Sequence, residues 1–278
     1  AQELVDGLDT IDFPEHVALL QKDWLGRSEG AEIAFKLEND QGEIRVFTTR
    51  PDTLFGVTFL TMAPEHPMAS ELMTGRPEEA AWRELRDEVA LLSEFDRIKQ
   101  MKKKKGMFSG LHVTHPLTGE RVPLWFGNFV IASYGTGAVM AVPGHDQRDF
   151  EFATACGLPV RRVIADPKGN DGPMKKAFED LGPMINSPQP GFDGLEGDAA
   201  KQAVIAALEG ANAGDLTLNW KIRPWLVSRQ RYCGTPIPLI HCPSCGAVPV
   251  PAEDLPVVLP RDVAFTGTGN PLPTSPTS

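Results

Sequence analysis

Apolar and polar positions alternate through "AEIAFKLENDQGEIRVFTT". Ile33, Phe35 and Leu37 share one face of an extended segment, and Ile44 and Val46 continue that face on a second one. The "NDQG" between them carries the residue types of a turn, so the pattern predicts a β-hairpin. Before it, Pro14 to Trp24 reads as a short helix, with Asp12 as candidate cap and a proline where the first turn tolerates one. After it, Met62–Thr74 and Pro77–Glu94 read as helices, the second with Trp82, Leu85, Val89 and Leu92 at helical spacing. The stretch 106–142 is strand-like and broken by glycines. A helix is expected at about 147–156, closed by Gly157, then a strand at "VRRVIA". The segment 166–198, rich in Gly, Pro and Asp, predicts loops, and Ala199–Leu208 a further helix. The texture changes again from Trp220, and the final "GTGNPLPTSPTS" is a low-complexity tail. No internal repeat is found. Hairpins alternating with separate helices predict an α+β fold around a barrel-like, closed or strongly curved antiparallel sheet with flanking helices.

Composition changes this picture little. The chain has 278 residues, 41% hydrophobic and 23% charged, an ordinary globular mixture. No apolar run reaches the length of a membrane span, and the first residues lack a basic-then-apolar leader pattern, so neither a membrane partner nor secretion is expected. The absent initiator Met suggests an excised or processed piece. Four cysteines do not make a disulfide framework, and the expected compartment is the cytosol. A net charge of −10 argues against bulk attraction to nucleic acid, so an RNA contact should be local or lean on another domain.

Two corners carry candidate chemistry. In "VFTTRPDTLFG", Thr48 and Thr49 end a strand, and Arg50, Pro51, Asp52 and Thr53 lie between two apolar runs. A proline there can start a helical turn whose free amides face beyond the strand end. The plain alternative is that the threonines finish the strand, Asp52 decorates a helix start and Arg50 is solvated. In "YGTGAVMAVPGHDQRDFEFATACG", an apolar strand runs into Pro143-Gly144, and His145, Asp146 and Asp149 open a helix. Asp146 suits an N-cap and Asp149 the capping-box position, with His145 an ordinary loop residue. Alternatively, one of the two acids faces a pocket and holds an ammonium group.

Together, "TTRPDTLFG" and "GTGAVMAVPGHDQRDFEFA" resemble the editing domain of leucyl-tRNA synthetase, with agreeing flanks "DWLGRSEGAEI" and "NWKIRPWLVSRQRY". The related isoleucyl and valyl editing domains share the first corner but differ after Pro51 and around "AVPGHDQRD". The resemblance runs to about Pro260. It implies a linking helix and strand at 1–28, an editing domain at 29–218, a return segment to the synthetase body at 219–260 and a tail at 261–278. The implied activity is hydrolysis of the ester that joins a wrong amino acid, such as isoleucine or norvaline, to leucine tRNA. The implied partners are the 3′ end of that tRNA and the rest of the synthetase. By resemblance, Thr48 and Thr49 line the reaction centre, and Arg50 reaches the tRNA backbone or supports the pocket acid. Thr53 is the wall that rejects the leucine side chain, and Met140 and Val142 form the apolar side of the pocket. Asp149 holds the α-ammonium with Asp146 nearby, and Tyr134 lies with the Gly135–Gly137 backbone close to the adenosine. The implied hydrolysis uses water, with the ribose hydroxyl as helper, and neither a metal nor another cofactor. The activation signatures HIGH and KMSKS do not occur, so aminoacylation is not expected of this chain.

Other features have competing readings. Lys102–Lys105 is either a solvated loop or a contact to tRNA phosphates, and Arg161 and Arg162 pose the same choice. Cys242 and Cys245 in "HCPSCG" are half of a four-ligand zinc site, with no second pair downstream, and Cys156 reads as core. Cys233 stands where the family usually has Trp. Two other classes of function stay open: a non-catalytic module that docks the tRNA acceptor end, and a zinc-ribbon interaction module around 233–250.

Overall fold

The computed structural model describes residues 1–38, 42–91, 104–132, 135–166, 169, 172–222, 237–265 and 271–276. They form two compact units, Val5–Lys221 and Ile222–Ser278 with Ala1–Leu4. Among the described residues no helix is long and apolar enough to cross a membrane.

The larger unit is built on a seven-stranded sheet. The alternating segment forms the expected hairpin, β1 (Arg27–Leu37) with β2 (Glu43–Thr48), in register from Ala31↔Thr48 to Lys36↔Glu43. Its turn lies outside the described residues. Ile33, Phe35, Ile44 and Val46 are buried, as the pleat requires when one face meets a core. β1 pairs along its other edge with β7 (Gly214–Trp220) and briefly with β4 (Gly106–Thr114). β4 pairs with β5 (Arg121–Gly127), and β3 (Phe59–Met62) lies between β5 and β6 (Ala138–Ala141). Gly30 is where β1 presses closest on the first corner: a Cβ there would collide with the Thr48 carbonyl.

The fold is mixed α/β as expected, with two differences in the sheet. β3 and β5 run parallel, so the sheet is not purely antiparallel. The sheet also does not close. β2 and β6, the ends of the hydrogen-bonded order, lie against each other without a ladder between them. The barrel-like expectation is thus corrected to a bent, open sheet. Its open seam sets the end of β2 beside β6.

Among the described residues the α-helices are α1 (Gln2–Leu8), α2 (Glu15–Leu25), α3 (Pro67–Met73), α4 (Glu79–Ala90), α5 (Gln147–Cys156) and α6 (Gly197–Gly210). Pro14, not Asp12, sits at the α2 N-cap, without a side-chain cap bond. Trp82, Leu85 and Val89 bury one stripe of α4, as their spacing predicts; Leu92 lies outside the described residues. Met62 ends a strand, and its expected helix starts only at Pro67, capped by His66, whose ring nitrogen accepts from Met68 N–H at 3.1 Å.

"VRRVIA" forms no strand beyond one bridge, Ile164↔Met184. Two of its amides have another partner: Val163 N–H and Ile164 N–H both donate to His145 Nε2, at 2.9 and 3.1 Å, while Ala165 N–H donates to the Pro183 carbonyl. A segment whose amides go to a side chain cannot also offer them to a neighbouring strand. In the smaller unit, β8 (Leu239–Cys242) and β9 (Gly246–Pro249) form a two-stranded hairpin.

Candidate active site

The first corner is rigid because its side chains close on its own backbone. After β2, residues Pro51–Gly56 form a short, buried 3₁₀ helix. Thr48 Oγ1 accepts from Arg50 N–H at 3.0 Å. Thr53 N–H and Thr53 Oγ1 both donate to the Arg50 carbonyl, at 3.0 and 2.8 Å. With its hydroxyl so engaged, Thr53 has its methyl left to offer a neighbouring space. Arg50 is not a solvated arginine. Its Nε and Nη2 fork onto the buried Asp52 carboxylate, the latter at 2.8 Å, and its Nη1 donates to the Glu179 carbonyl at 3.1 Å.

The second corner follows β6. Gly144 packs so closely on Arg161 that a Cβ would strike the Arg161 carbonyl. Asp146 caps α5, Oδ1 accepting from Arg148 N–H at 2.8 Å and Asp149 N–H at 3.1 Å. Arg148 folds back onto Asp146 Oδ2 at 2.9 Å. Asp149 is buried, and its Oδ2 accepts from Val142 N–H at 2.8 Å. It therefore braces the helix start against the end of β6 instead of capping. Burial, and then the charge of Asp146, push its carboxyl up to about 7, against the opposing pull of Val142 N–H, Arg148 and Lys104. Asp146 goes the other way. Burial opposes its ionisation, but the Arg148 bond and charge outweigh that and hold it low.

His145 is a clamp between segments. Its Nδ1–H donates to the Phe178 carbonyl at 2.8 Å while Nε2 accepts the two amides of Val163 and Ile164. That pattern fixes the neutral tautomer, and burial lowers its pKa to about 4. A ring whose acceptor nitrogen is filled by backbone amides is not available as a general base.

Both corners open onto one cleft of about 350 Å³. Thr48, Thr49, Arg50, Thr53, Met140, Val142, Asp146 and Asp149 all line it. Of the residues singled out from the sequence, Tyr134 lies outside the described residues. The sequence reading missed Phe47, Ile131 and Val139, which add apolar wall, and Arg148 and His145 at the polar end. For the wall the available signal was the alternation of β6 and of the end of β2. For His145 there was none, because its partners lie far along the chain. The cleft thus joins an apolar wall to one buried carboxylate beside a threonine-rich turn. It suits a small solute with a cationic head and a short apolar tail.

Cys242 and Cys245 lie in the smaller unit, each beside Ser244 Oγ, at 3.3 and 3.7 Å. Among the described residues no group of three or more metal-ligating side chains gathers. Cys233 is outside the described residues.

The chain is similar to known proteins. The family model for the leucyl-tRNA synthetase editing domain matches residues 22–209. The leucine–tRNA ligase of Stenotrophomonas maltophilia (strain K279a) is 48% identical over 99% of this chain and 33% of its own length. That of Alkalilimnicola ehrlichii is 49% identical over 98% and 31%. The crystal structure of the ternary complex of LeuRS, tRNA and LeuAMS from Agrobacterium radiobacter K84 superposes with a TM-score of 0.74 and 37% identity, covering 98% of this chain and 30% of that one. The chain belongs to the leucyl-tRNA synthetase editing-domain family. It spans about a third of the length of the leucine–tRNA ligases it matches.

Proposed function

We propose that this chain is the proofreading part of a leucyl-tRNA synthetase and hydrolyses the ester of mischarged leucine tRNA. The observation that carries the reading is the meeting of Thr53 and Asp149 in one cleft. An aminoacyl ester is already activated, so positioning and charge placement matter more than a strong nucleophile. Asp149 holds the α-ammonium common to every amino acid, which anchors without selecting. Met140 and Val142 receive the side chain, and the Thr53 methyl leaves no room for leucine. Thr48 and Thr49 orient the ester and its water. Water adds to the ester carbonyl, the carbonyl–ribose oxygen bond breaks, and the departing ribose oxygen takes the proton. The products are free amino acid and uncharged tRNA. The reading assigns no metal or other cofactor to this step, and gives Tyr134 and the Gly135–Gly137 backbone to the terminal adenosine.

A second, size-excluding pocket is needed because one methylene in an apolar site discriminates by only about 1–3 kcal/mol. The partners follow: the 3′ end of leucine tRNA, as the related ternary complex includes tRNA, and the remainder of the synthetase body. The test is hydrolysis of isoleucine- or norvaline-charged leucine tRNA by this chain. Release of the amino acid is expected. Binding of the tRNA without release would instead favour a docking module.

A further inference from the structure

Lys104 is the third of four consecutive lysines, Lys102–Lys105, whose sequence suggests a solvated loop or a phosphate contact; the first two lie outside the described residues. In the structure Lys104 is not solvated. Its side chain is only 6% exposed, whereas that of Lys105 is 46% exposed and pairs with the equally open Glu88. Lysines are seldom buried unless paired, since the ammonium loses its hydration. Lys104 Nζ donates to the Arg148 carbonyl at 2.9 Å and to Glu151 Oε2 at 2.6 Å. Arg148 directly precedes Asp149, and Glu151 lies two positions beyond it. A buried ammonium from the segment before β4 thus straddles the first turn of α5 from behind, without lining the cleft.

We infer that Lys104 is a positioning residue for the proposed ester hydrolysis, fixing the first turn of α5 and supplying the buried positive charge that keeps Asp149 set to receive an ammonium group. The inference rests on the editing reading for its chemistry but on these contacts for its geometry. The charged groups around Asp149 are Asp146 and Arg148 in the same turn, Lys104 behind it, Glu151 on Lys104, Glu179 on Gln147 N–H and Arg50 on the opposite corner of the cleft. Arg148 spends its guanidinium on Asp146 and is 63% exposed. Of Arg148 and Lys104, the two cations whose charge favours the Asp149 carboxylate, Lys104 has the more deeply buried side chain.

The test follows the Asp149 carboxyl by carbon-13 NMR titration of this chain, alongside the pH profile of deacylation. In Lys104→Met the Asp149 midpoint should rise by roughly half a pH unit or more, the scale of one buried charge lost at an effective dielectric of about 20. The acid limb of the deacylation profile should move with it, and Lys104→Arg should restore both. Glu151→Gln, at an exposed position that does not threaten folding, should move the midpoint down. An unmoved Asp149 in Lys104→Met, an arginine variant that behaves like the methionine one, or a rise in Glu151→Gln each overturns the inference. So does a variant that loses only salt-sensitive tRNA binding, which would make Lys104 a phosphate contact. If the unaltered chain hydrolyses no ester, the editing reading fails, while the titration still decides whether Lys104 governs Asp149.

Discussion

Thr53 and Asp149, one from the turn after β2 and the other from the first turn of α5, line the same cleft. Nothing local joins them. They meet because the bent sheet leaves β2 and β6 side by side at an unpaired seam, and each strand delivers one corner to it.

Asp149 has a brace and a charge to contribute, and the two separate by substitution. Asp149→Asn keeps an acceptor for Val142 N–H, so thermal unfolding should change little. The lost charge should cut deacylation of mischarged tRNA by roughly 100-fold, the scale of truncating one partner of a buried charged pair. Asp149→Ala also orphans the Val142 amide and should lower stability by about 1–3 kcal/mol in urea unfolding. Full activity in the Asn variant would reduce Asp149 to a structural acid.

The pH dependence of stability should show two opposed titrations. Asp149 titrates at about 7 when folded, against about 3.9 unfolded. The folded state therefore holds the extra proton between those values, and this contribution to stability falls as pH rises through them. His145 titrates at about 4 folded, against about 6.5 unfolded. There the unfolded state holds the extra proton, so this contribution rises with pH and is lost as pH falls through that window. The two partly cancel. Asp149→Asn should leave the histidine term unopposed, giving a steeper loss of stability on acidification from about pH 6.5 to 4 in denaturant titrations.

His145→Ala should destabilise by about 2 kcal/mol or more. It leaves the Phe178 carbonyl and the buried amides of Val163 and Ile164 without their partner. Urea midpoints measure this. A near-neutral result would mean that water replaces the ring, and that the clamp does not hold the second corner.

The hairpin, the α4 stripe and the capping of α5 by Asp146 were legible because each depends on residues a few positions apart, within reach of periodicity and cap rules. Thr48, Thr53, Met140 and Asp149 were legible as a set only through the family resemblance; from their own neighbourhoods they read equally well as strand end and helix cap. What stayed hidden was long-range. "VRRVIA" has the composition of a strand, but His145 takes the amides of Val163 and Ile164. Arg50 read from its neighbourhood as solvated, and by resemblance as reaching the tRNA backbone or the pocket acid; a carboxylate two residues on and a carbonyl from the 166–198 loops hold it. The parallel β3–β5 pair and the open seam are properties of topology, which alternation along one strand does not encode.

Arg50→Ala should cost about 3–5 kcal/mol, because it leaves the Asp52 carboxylate buried without its cation. Arg50→Ala with Asp52→Ala should recover much of that loss, and the double-mutant cycle in urea should show strong coupling. Arg50→Lys should rescue only in part, since an ammonium cannot fork onto the carboxylate. Additive losses would show that the pair does not hold the Thr53 turn.

The size filter is tested most directly by Thr53→Ala, comparing hydrolysis of correctly charged leucine tRNA with that of the norvaline-charged form. Removing the methyl should let this chain strip leucine at a rate approaching that for norvaline, with norvaline hydrolysis little changed. If leucine stays as resistant as in the unaltered chain while norvaline is still released, Thr53 is not the wall and the cleft excludes leucine by other means.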